Sequence, residues 1–470
     1  MPKTSFSNAS AAAALLLALV PATASAASRV EVLRSGDRWT ADFQLDKPAQ
    51  AWVLSRSALA TRNGKSWRAR SWTVETPGVR LERLGHYDAL VAADGALLPP
   101  RIRIRFTPLA EGLVADYDPA LIFTDGTVAL YDSHFHGFPM PSRAATAKLP
   151  PDRAEVRQAD VPTRTRFRDS AGRVMHGGQS RPSVSLTDDA GTYVLFGRPK
   201  TLVTPAMATV IDPQLPAWLR ASLEKNAPKV LGYYARRFGP PPGAKPTFLM
   251  SWAGPTPGLV SMGGSVLPSL VTMRFEGAGL LATNLKAQNA ARWFVAHEAA
   301  HFWLGQAVTY EFSRDAWLTE GGADLLAVRT VAALDPSYDA RAVLQQSADD
   351  CLALTRGKSV ESAERRNEHR AYYACGALFG LVAEAAQRKA TDGDFHDFVK
   401  ALIAANRADR LVTRGDWLAM LTRVAGASDL STAIRRLLEE GSADPAAAYS
   451  SLFTAAGISH RLEQGRLILA

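Results

Sequence analysis

His297-Glu298-Ala299-Ala300-His301 and Trp317-Leu318-Thr319-Glu320-Gly321, whose Glu320 follows His301 after eighteen intervening residues, are the stretches on which the reading of this 470-residue chain turns. On a helix, four residues advance by about 400°, so the imidazoles of His297 and His301 stand one above the other on a single face. That spacing lets both hold one zinc ion, whose nitrogen ligands sit at about 2.0–2.1 Å. Glu298 is turned by about 100° from His297, close enough to reach a water on the metal without being a ligand. A catalytic zinc needs a third protein ligand and an open fourth position. Glu320 is the candidate, since eighteen residues accommodate a helix exit, a loop and entry into a second helix.

Working outward, the His pair sits on a helix expected from about Asn284 to Leu304 and stopped by Gly305. Upstream, Leu215 to Phe238 reads as a helix ended by Gly239 and three prolines, and Phe248 to Trp252 as a buried strand followed by Gly-rich sequence through Gly264. From Trp317 onward Ala and Leu recur at helical spacing, closed by a strand at Arg466 to Leu469. Between Ser28 and about Lys200 the pattern is different. Trp39–Leu45, Ala51–Leu54, Ile102–Phe106, Leu113–Tyr117, Thr127–Tyr131 and Tyr193–Gly197 alternate or run apolar between Gly, Asp and Pro. The Pro- and Arg-rich stretch Pro139 to Arg173 reads as an extended surface segment. The expected architecture is multidomain α+β: an N-terminal antiparallel β-sandwich or saddle over 27–200, an α/β zinc catalytic domain over 201–335, and a helical region over 336–470 that completes the active site.

Composition narrows the class. Apolar residues at 47% and charged residues at 21% exclude a mostly disordered chain, and two cysteines exclude a Cys-rich zinc module. The formal charge of +9 is dispersed along the chain, as in Arg101, Arg103 and Arg105 alternating with Ile102, Ile104 and Phe106, a strand with one solvated face. No nucleic-acid-binding motif accompanies it, so no nucleic-acid partner is expected. Lys3, the apolar run Ala11 to Val20 and the small-x-small triplet Ala24-Ser25-Ala26 read as a signal peptide over 1–26, with the mature chain starting at Ala27. The run is about half the length of a bilayer crossing, so a periplasmic or secreted protein without a transmembrane segment is expected. Export places Cys351 and Cys375 in an oxidising compartment as each other's only partner, and a bridge between them is expected. His134 and His136 read as polar turn or edge positions, and His369 as a surface helix residue.

The stretch HEAAHFWLGQAVTYEFSRDAWLTEGGADLL, His297 to Leu326, resembles the zinc-binding core of the aminopeptidase N family of gluzincin metallopeptidases, with Thr319 where that family usually has Asn. Phe238-Gly239-Pro240-Pro241 resembles the segment leading into the family's substrate-binding edge strand, and Tyr373-x-x-Gly376-Ala377-Leu378-Phe379 resembles its Tyr-x-Lys-Gly segment. The resemblance implies a thermolysin-like catalytic domain, a peptide or protein substrate, and one zinc per chain held by His297, His301 and Glu320. Glu298 would carry the proton from the attacking water to the leaving amine, and Tyr373 rather than its neighbour Tyr372 would stabilise the transition state. Asp324, one turn beyond Glu320, would orient a histidine ligand. One departure bears on specificity. The family's Gly-x-Met-Glu-Asn motif supplies a Glu for the substrate's free amino group, and the corresponding Val260-Ser261-Met262-Gly263-Gly264-Ser265 has Gly263 in that place. Gly263 and Gly264 would let the backbone approach an extended peptide. Aminopeptidase action is the favoured mode; endopeptidase and dipeptidase modes, and a non-catalytic peptide-binding protein that keeps the metal site, are the alternatives.

Overall fold

The computed structural model describes residues 28–470 apart from 115, 152, 157–161, 188–190 and 367, so the signal peptide read at 1–26 and the start at Ala27 lie outside the described residues. Among the described residues no helix is long and apolar enough to cross a membrane. Strict alternation makes the first half β-rich: in Arg101–Phe106 the two isoleucines and Phe106 are buried while the arginines face out. A six-stranded sheet runs Ser183–Thr187, Thr163–Asp169, Ser28–Ser35, Arg38–Gln44, Arg101–Phe106, Trp72–Val74. Four- and five-stranded sheets complete this region.

Three sequence expectations change here. Thr163–Asp169 is no surface segment: it lies inside the six-stranded sheet, parallel to Ser28–Ser35, with Thr163, Thr165, Phe167 and Asp169 turned inward. Inward threonines hide the apolar alternation, and the parallel pairing joins residues far apart in sequence. Among the described residues of 113–117 there is no strand, since Leu113 and Asp116 make only isolated bridges and residue 115 lies outside the described residues. His134 and His136 are both buried, and His134 Nε2 bonds the Tyr117 carbonyl at 3.0 Å, so this pair belongs to the interior of the β-region.

Beyond residue 200 a further, five-stranded sheet runs Thr201–Val203, Ala208–Ile211, Thr247–Trp252, Leu270–Glu276, Ser261–Leu267, the last being its edge strand. The helix carrying the His pair spans Leu285–Ala300, and Asn284 caps it by accepting from the Ala287 amide at 2.8 Å. It stops one turn before the expected Leu304. Gly305, at φ +141°, turns the chain back and donates its N–H to the Val308 carbonyl at 2.7 Å. The Glu320 helix (Trp317–Leu334) and the Tyr373 helix (Arg370–Thr391) then cross, and the chain ends in a hairpin of His460–Glu463 with Arg466–Leu469. A single hydrophobic core extends from Met207 to Leu469, so the catalytic and helical regions share one interior.

Backbone contact governs the helix crossing. A Cβ on Gly376 would stand 2.5 Å from the Trp317 carbonyl oxygen and 2.8 Å from Gly321 Cα, so neither glycine can carry a side chain without parting the helices. Cys351, on the helix Ala340–Leu354, is bonded to Cys375 beside this crossing. The bridge closes a loop worth about 3 kcal/mol on the chain-entropy account.

Gly376→Ala is expected to lower unfolding stability by about 1–3 kcal/mol through overpacking. Gly232 lies in the helix Ala217–Phe238, where an added Cβ would meet only Arg236 Nη1 at 3.6 Å. Gly232→Ala should therefore be neutral or stabilising by up to about 1 kcal/mol. Denaturant midpoints of the two variants check this, and equal midpoints would refute the crossing argument.

Candidate active site

The site assembles where the His-pair helix meets the Glu320 helix. His297 Nε2 and His301 Nε2 are 3.1 Å apart, and Glu320 Oε2 lies 3.5 Å from the first and 3.3 Å from the second. These three are the one potential metal-holding group of three or more His, Cys, Asp or Glu among the described residues. A tetrahedral zinc with ligands at about 2.0–2.1 Å has edges of about 3.3 Å, so the donor atoms stand at three corners of such a polyhedron. The outer ring nitrogens agree with that use. His297 Nδ1 lies 2.8 Å from Asp324 Oδ1, and His301 Nδ1 is 2.8 Å from the Leu304 carbonyl, which leaves both Nε2 atoms free for a metal. Two imidazoles and a carboxylate with oriented second nitrogens suit zinc.

Asp324 is held in turn. Its Oδ2 accepts from Arg370 Nη1 at 3.1 Å, and Arg370 Nε donates to Asp350 at 2.9 Å. Arg370 is the first residue of its helix, where the dipole disfavours a cation. That position is the one sequence signal that a carboxylate partner was needed, and it was missed. Electrostatics follow from this chain of charges. Burial alone would lower the His297 pKa, but the hydrogen bond to Asp324 and the Glu320 carboxylate outweigh it and push the imidazole up to about 10. Burial would raise the Glu320 carboxyl, yet His301 and His297 hold it well below the usual carboxylate range.

Glu298 is buried, and desolvation pushes its carboxyl upward against the pull of the two histidines. It lies against the edge strand: a Cβ on Gly264 would stand 2.6 Å from Glu298 Cδ and Oε1 and 2.9 Å from Phe294 Cζ. Gly264 is thus required by Glu298, whereas a Cβ on Gly263 would meet nothing within 4 Å. The Tyr373 ring stacks on His297 with centroids 5.7 Å apart and planes at 20°. Its phenol is held above the ordinary range, first by burial and then by Glu320 and Glu298. Tyr372 points elsewhere, donating to the Glu361 carbonyl at 3.1 Å and accepting from the Glu364 amide at 3.3 Å. His369 is exposed at the helix start, away from this cluster's hydrogen bonds.

Asp324→Asn should weaken zinc affinity by about 10–100-fold, because it removes the charge that orients and polarises His297. For the wild-type chain, His297 at about pKa 10 carries a proton at neutral pH, and zinc must displace it. Affinity should therefore fall as pH falls, by about tenfold per pH unit for each proton released. Competition titrations with a zinc chelator at several pH values read both effects; a pH-independent affinity would contradict the charge assignment.

Residues 279–436 match the sequence profile of the Peptidase family M1 domain. Tricorn protease-interacting factor F2 of Thermoplasma acidophilum is 27% identical over 147 residues, and that of Thermoplasma volcanium 29% over 129 residues. These alignments take in 30% and 26% of this chain and span only 17% and 16% of those relatives' length. An aminopeptidase N family protein from Idiomarina loihiensis superposes with a TM-score of 0.60 at 12% identity, over 88% of this chain and 76% of the other. An M1 zinc metallopeptidase from Deinococcus radiodurans gives 0.50 at 18% identity, over 88% and 92%. At such identities the two structures show a shared fold. The ligand triad lies inside the matched segment, so residues 279–436 resemble a peptidase family M1 domain at the point where the three donor atoms converge.

Proposed function

We propose that the chain is an exported peptidase that holds one zinc ion through His297, His301 and Glu320 and releases residues from the free amino end of peptides. The observation that carries the reading is the Glu298 carboxylate, buried between the His pair and the glycine of an open edge strand. An extended peptide can add to Ser261–Leu267, whose outer edge has no strand partner in its sheet, and this brings a scissile carbonyl between Glu298 and the metal ligands. Zinc, when bound, supplies a Lewis acid for that carbonyl and lowers the pKa of a water in its open position. Glu298 takes the proton of the attacking water on its carboxylate and passes it to the leaving amine. Its upward-shifted carboxyl suits both halves of that transfer. Tyr373 keeps its phenolic proton and donates it as a hydrogen bond to the carbonyl oxygen as charge develops there. Asp324 holds the His297 ring in one tautomer throughout.

Export to a periplasmic or extracellular space is supported by the Cys351–Cys375 bridge, since such bonds persist in oxidising compartments. The functional units proposed are the β-region 27–200, the zinc domain 201–335 and the helices 336–470, the last contributing Tyr373 and Arg370.

Glu298→Gln should retain stoichiometric zinc while hydrolysis of tripeptides drops by at least about 10²-fold, because only the proton carrier is lost. Undiminished turnover would refute the mechanism. Tyr373→Phe should lower kcat by about 10²–10³-fold with KM little changed, as expected for a donor used only in the transition state. Steady-state kinetics on the zinc-loaded protein distinguish that from a KM effect, which would instead make Tyr373 a ground-state binding residue.

A further inference from the structure

The outer face of the six-stranded sheet holds a groove of about 950 Å³ whose lining is charged. Strand register sorts its side chains into rows. In one row Arg164 stands opposite Arg29, Arg29 opposite Gln44, and Gln44 opposite Arg101. The next row reads Arg166, Glu31, Asp42, Arg103. Each carboxylate lining the groove is already taken. Asp42 is bonded by Arg103 at 2.6 Å, Glu31 by Arg168 at 3.1 Å, and Glu75 by Arg38 at 3.0 Å and Arg105 at 3.2 Å. Arg29, Arg101 and Arg164 have no hydrogen-bond or ion-pair partner among the described residues, and Arg166 meets the Ser183 hydroxyl at 3.5 Å. These guanidiniums share one concavity without a counter-charge among the described residues. Strands lie about 4.8 Å apart, so Arg29 and Arg164 are like charges at the closest lateral spacing of a sheet, which is destabilising without an anion beside them.

The groove is remote from the metal ligands. Phe43, Ile102 and Phe167 beneath it share a core with Val194 and Phe196, while Tyr193 and Leu195 of that same strand (Tyr193–Phe196) share another with Val210 and Leu249 of the zinc domain. Packed sheets lie about 10 Å apart, so two sheet layers separate the groove from the zinc domain. An occupant here is a partner and not the peptide being cut. Its chemistry follows from the lining. Guanidinium forks match the paired oxygens of carboxylates. Gln44, Ser183 and Ser185 set neutral donors and acceptors among the arginines, which suits a ligand with hydroxyls beside its anions. A nucleic-acid strand is disfavoured, because Phe43, the aromatic residue of the lining, is buried and offers no face for a base to stack on. A lipid surface calls for exposed apolar side chains, and none of the large exposed ones lines the groove. An acidic peptide strand adds to a sheet edge, whereas Ser28–Ser35 and Arg38–Gln44 at the floor of the groove are interior strands. We propose that this face binds an acidic polysaccharide, its uronate carboxylates lying along Arg164, Arg29 and Arg101 and its hydroxyls on Gln44 and Ser185.

Calorimetric titration of the full zinc-loaded chain with polygalacturonate, at physiological ionic strength, is the test. Saturable binding is expected, with an affinity that falls as salt is added. Replacing Arg29→Gln and Arg164→Gln together should weaken it by at least about tenfold, because two charge-assisted contacts are lost. Peptidase kcat/KM should stay at the wild-type value in that variant, since the groove lies outside the cleft. If the double variant does not fold, Arg101→Gln reads the same loss. Replacing Arg461→Gln and Arg466→Gln removes equal charge from the terminal hairpin and should leave the affinity unchanged. Dextran carries the hydroxyls without the anions and should not bind. Polyglutamate, single-stranded DNA and phosphatidylglycerol vesicles present other anions and should bind more weakly than polygalacturonate. No saturable binding of polygalacturonate, or an undiminished affinity in the groove variants, would overturn the proposal. So would an equal loss in the hairpin variant, or any of the other four probes binding as tightly as polygalacturonate.

Discussion

The contact of Gly321 with Gly376 is the constraint on which the candidate active site depends. The Glu320 and Tyr373 helices meet backbone to backbone because neither residue carries a Cβ. Glu320 precedes one glycine and Asp324 follows it by three residues, while Tyr373 precedes the other by three and Arg370 by six. Helical geometry then carries all four groups to one end of the crossing, toward the His pair. Glycine is normally a cost of about 1 kcal/mol inside a helix. Here the cost is offset by a distance of approach that no other residue permits.

Charge is carried inward through that crossing. Arg370, Asp324 and His297 form a line of alternating groups, at 3.1 Å and 2.8 Å, that ends on His297 Nδ1 and leaves Nε2 facing Glu320 and His301. Removing such groups from water is expensive, and only the completeness of the pairing offsets it. Asp350 ties the outer end, so the line is anchored on a helix that is also joined covalently to the Tyr373 helix through Cys351 and Cys375. Packing, charge and the disulfide therefore position one set of side chains by three different means.

The edge strand shows how adjacent glycines can have unlike reasons. At Gly264 a side chain would strike the Glu298 carboxylate, so the residue type is dictated by that buried group. At Gly263 nothing would be struck, and the residue type instead leaves room that the N-terminal region borders. The β-region is thus part of the cleft, and Arg62 reaching Glu276 at 3.0 Å fastens it to the zinc domain's sheet.

The convergence of His297, His301 and Glu320 was legible because its information is local. Two histidines four apart need only a helix to share a face, and the Glu320 window follows from the length of one turn and one loop. Strict alternation likewise made Arg101–Phe106 readable as a strand. Choosing Tyr373 over Tyr372 needed a motif resemblance, and the hydrogen bonds of Tyr372 to Glu361 and Glu364 give it a physical basis. What the chain alone concealed depends on partners distant in sequence. Thr163–Asp169 joins a sheet through a strand 135 residues earlier, the register pairing Ser28 with Thr163. Arg370 finds its carboxylate 46 positions away, and Asp118 of the β-region lines one cavity with Gly263. Local periodicity specifies which face a side chain takes, but only the packed tertiary structure decides what stands opposite that face.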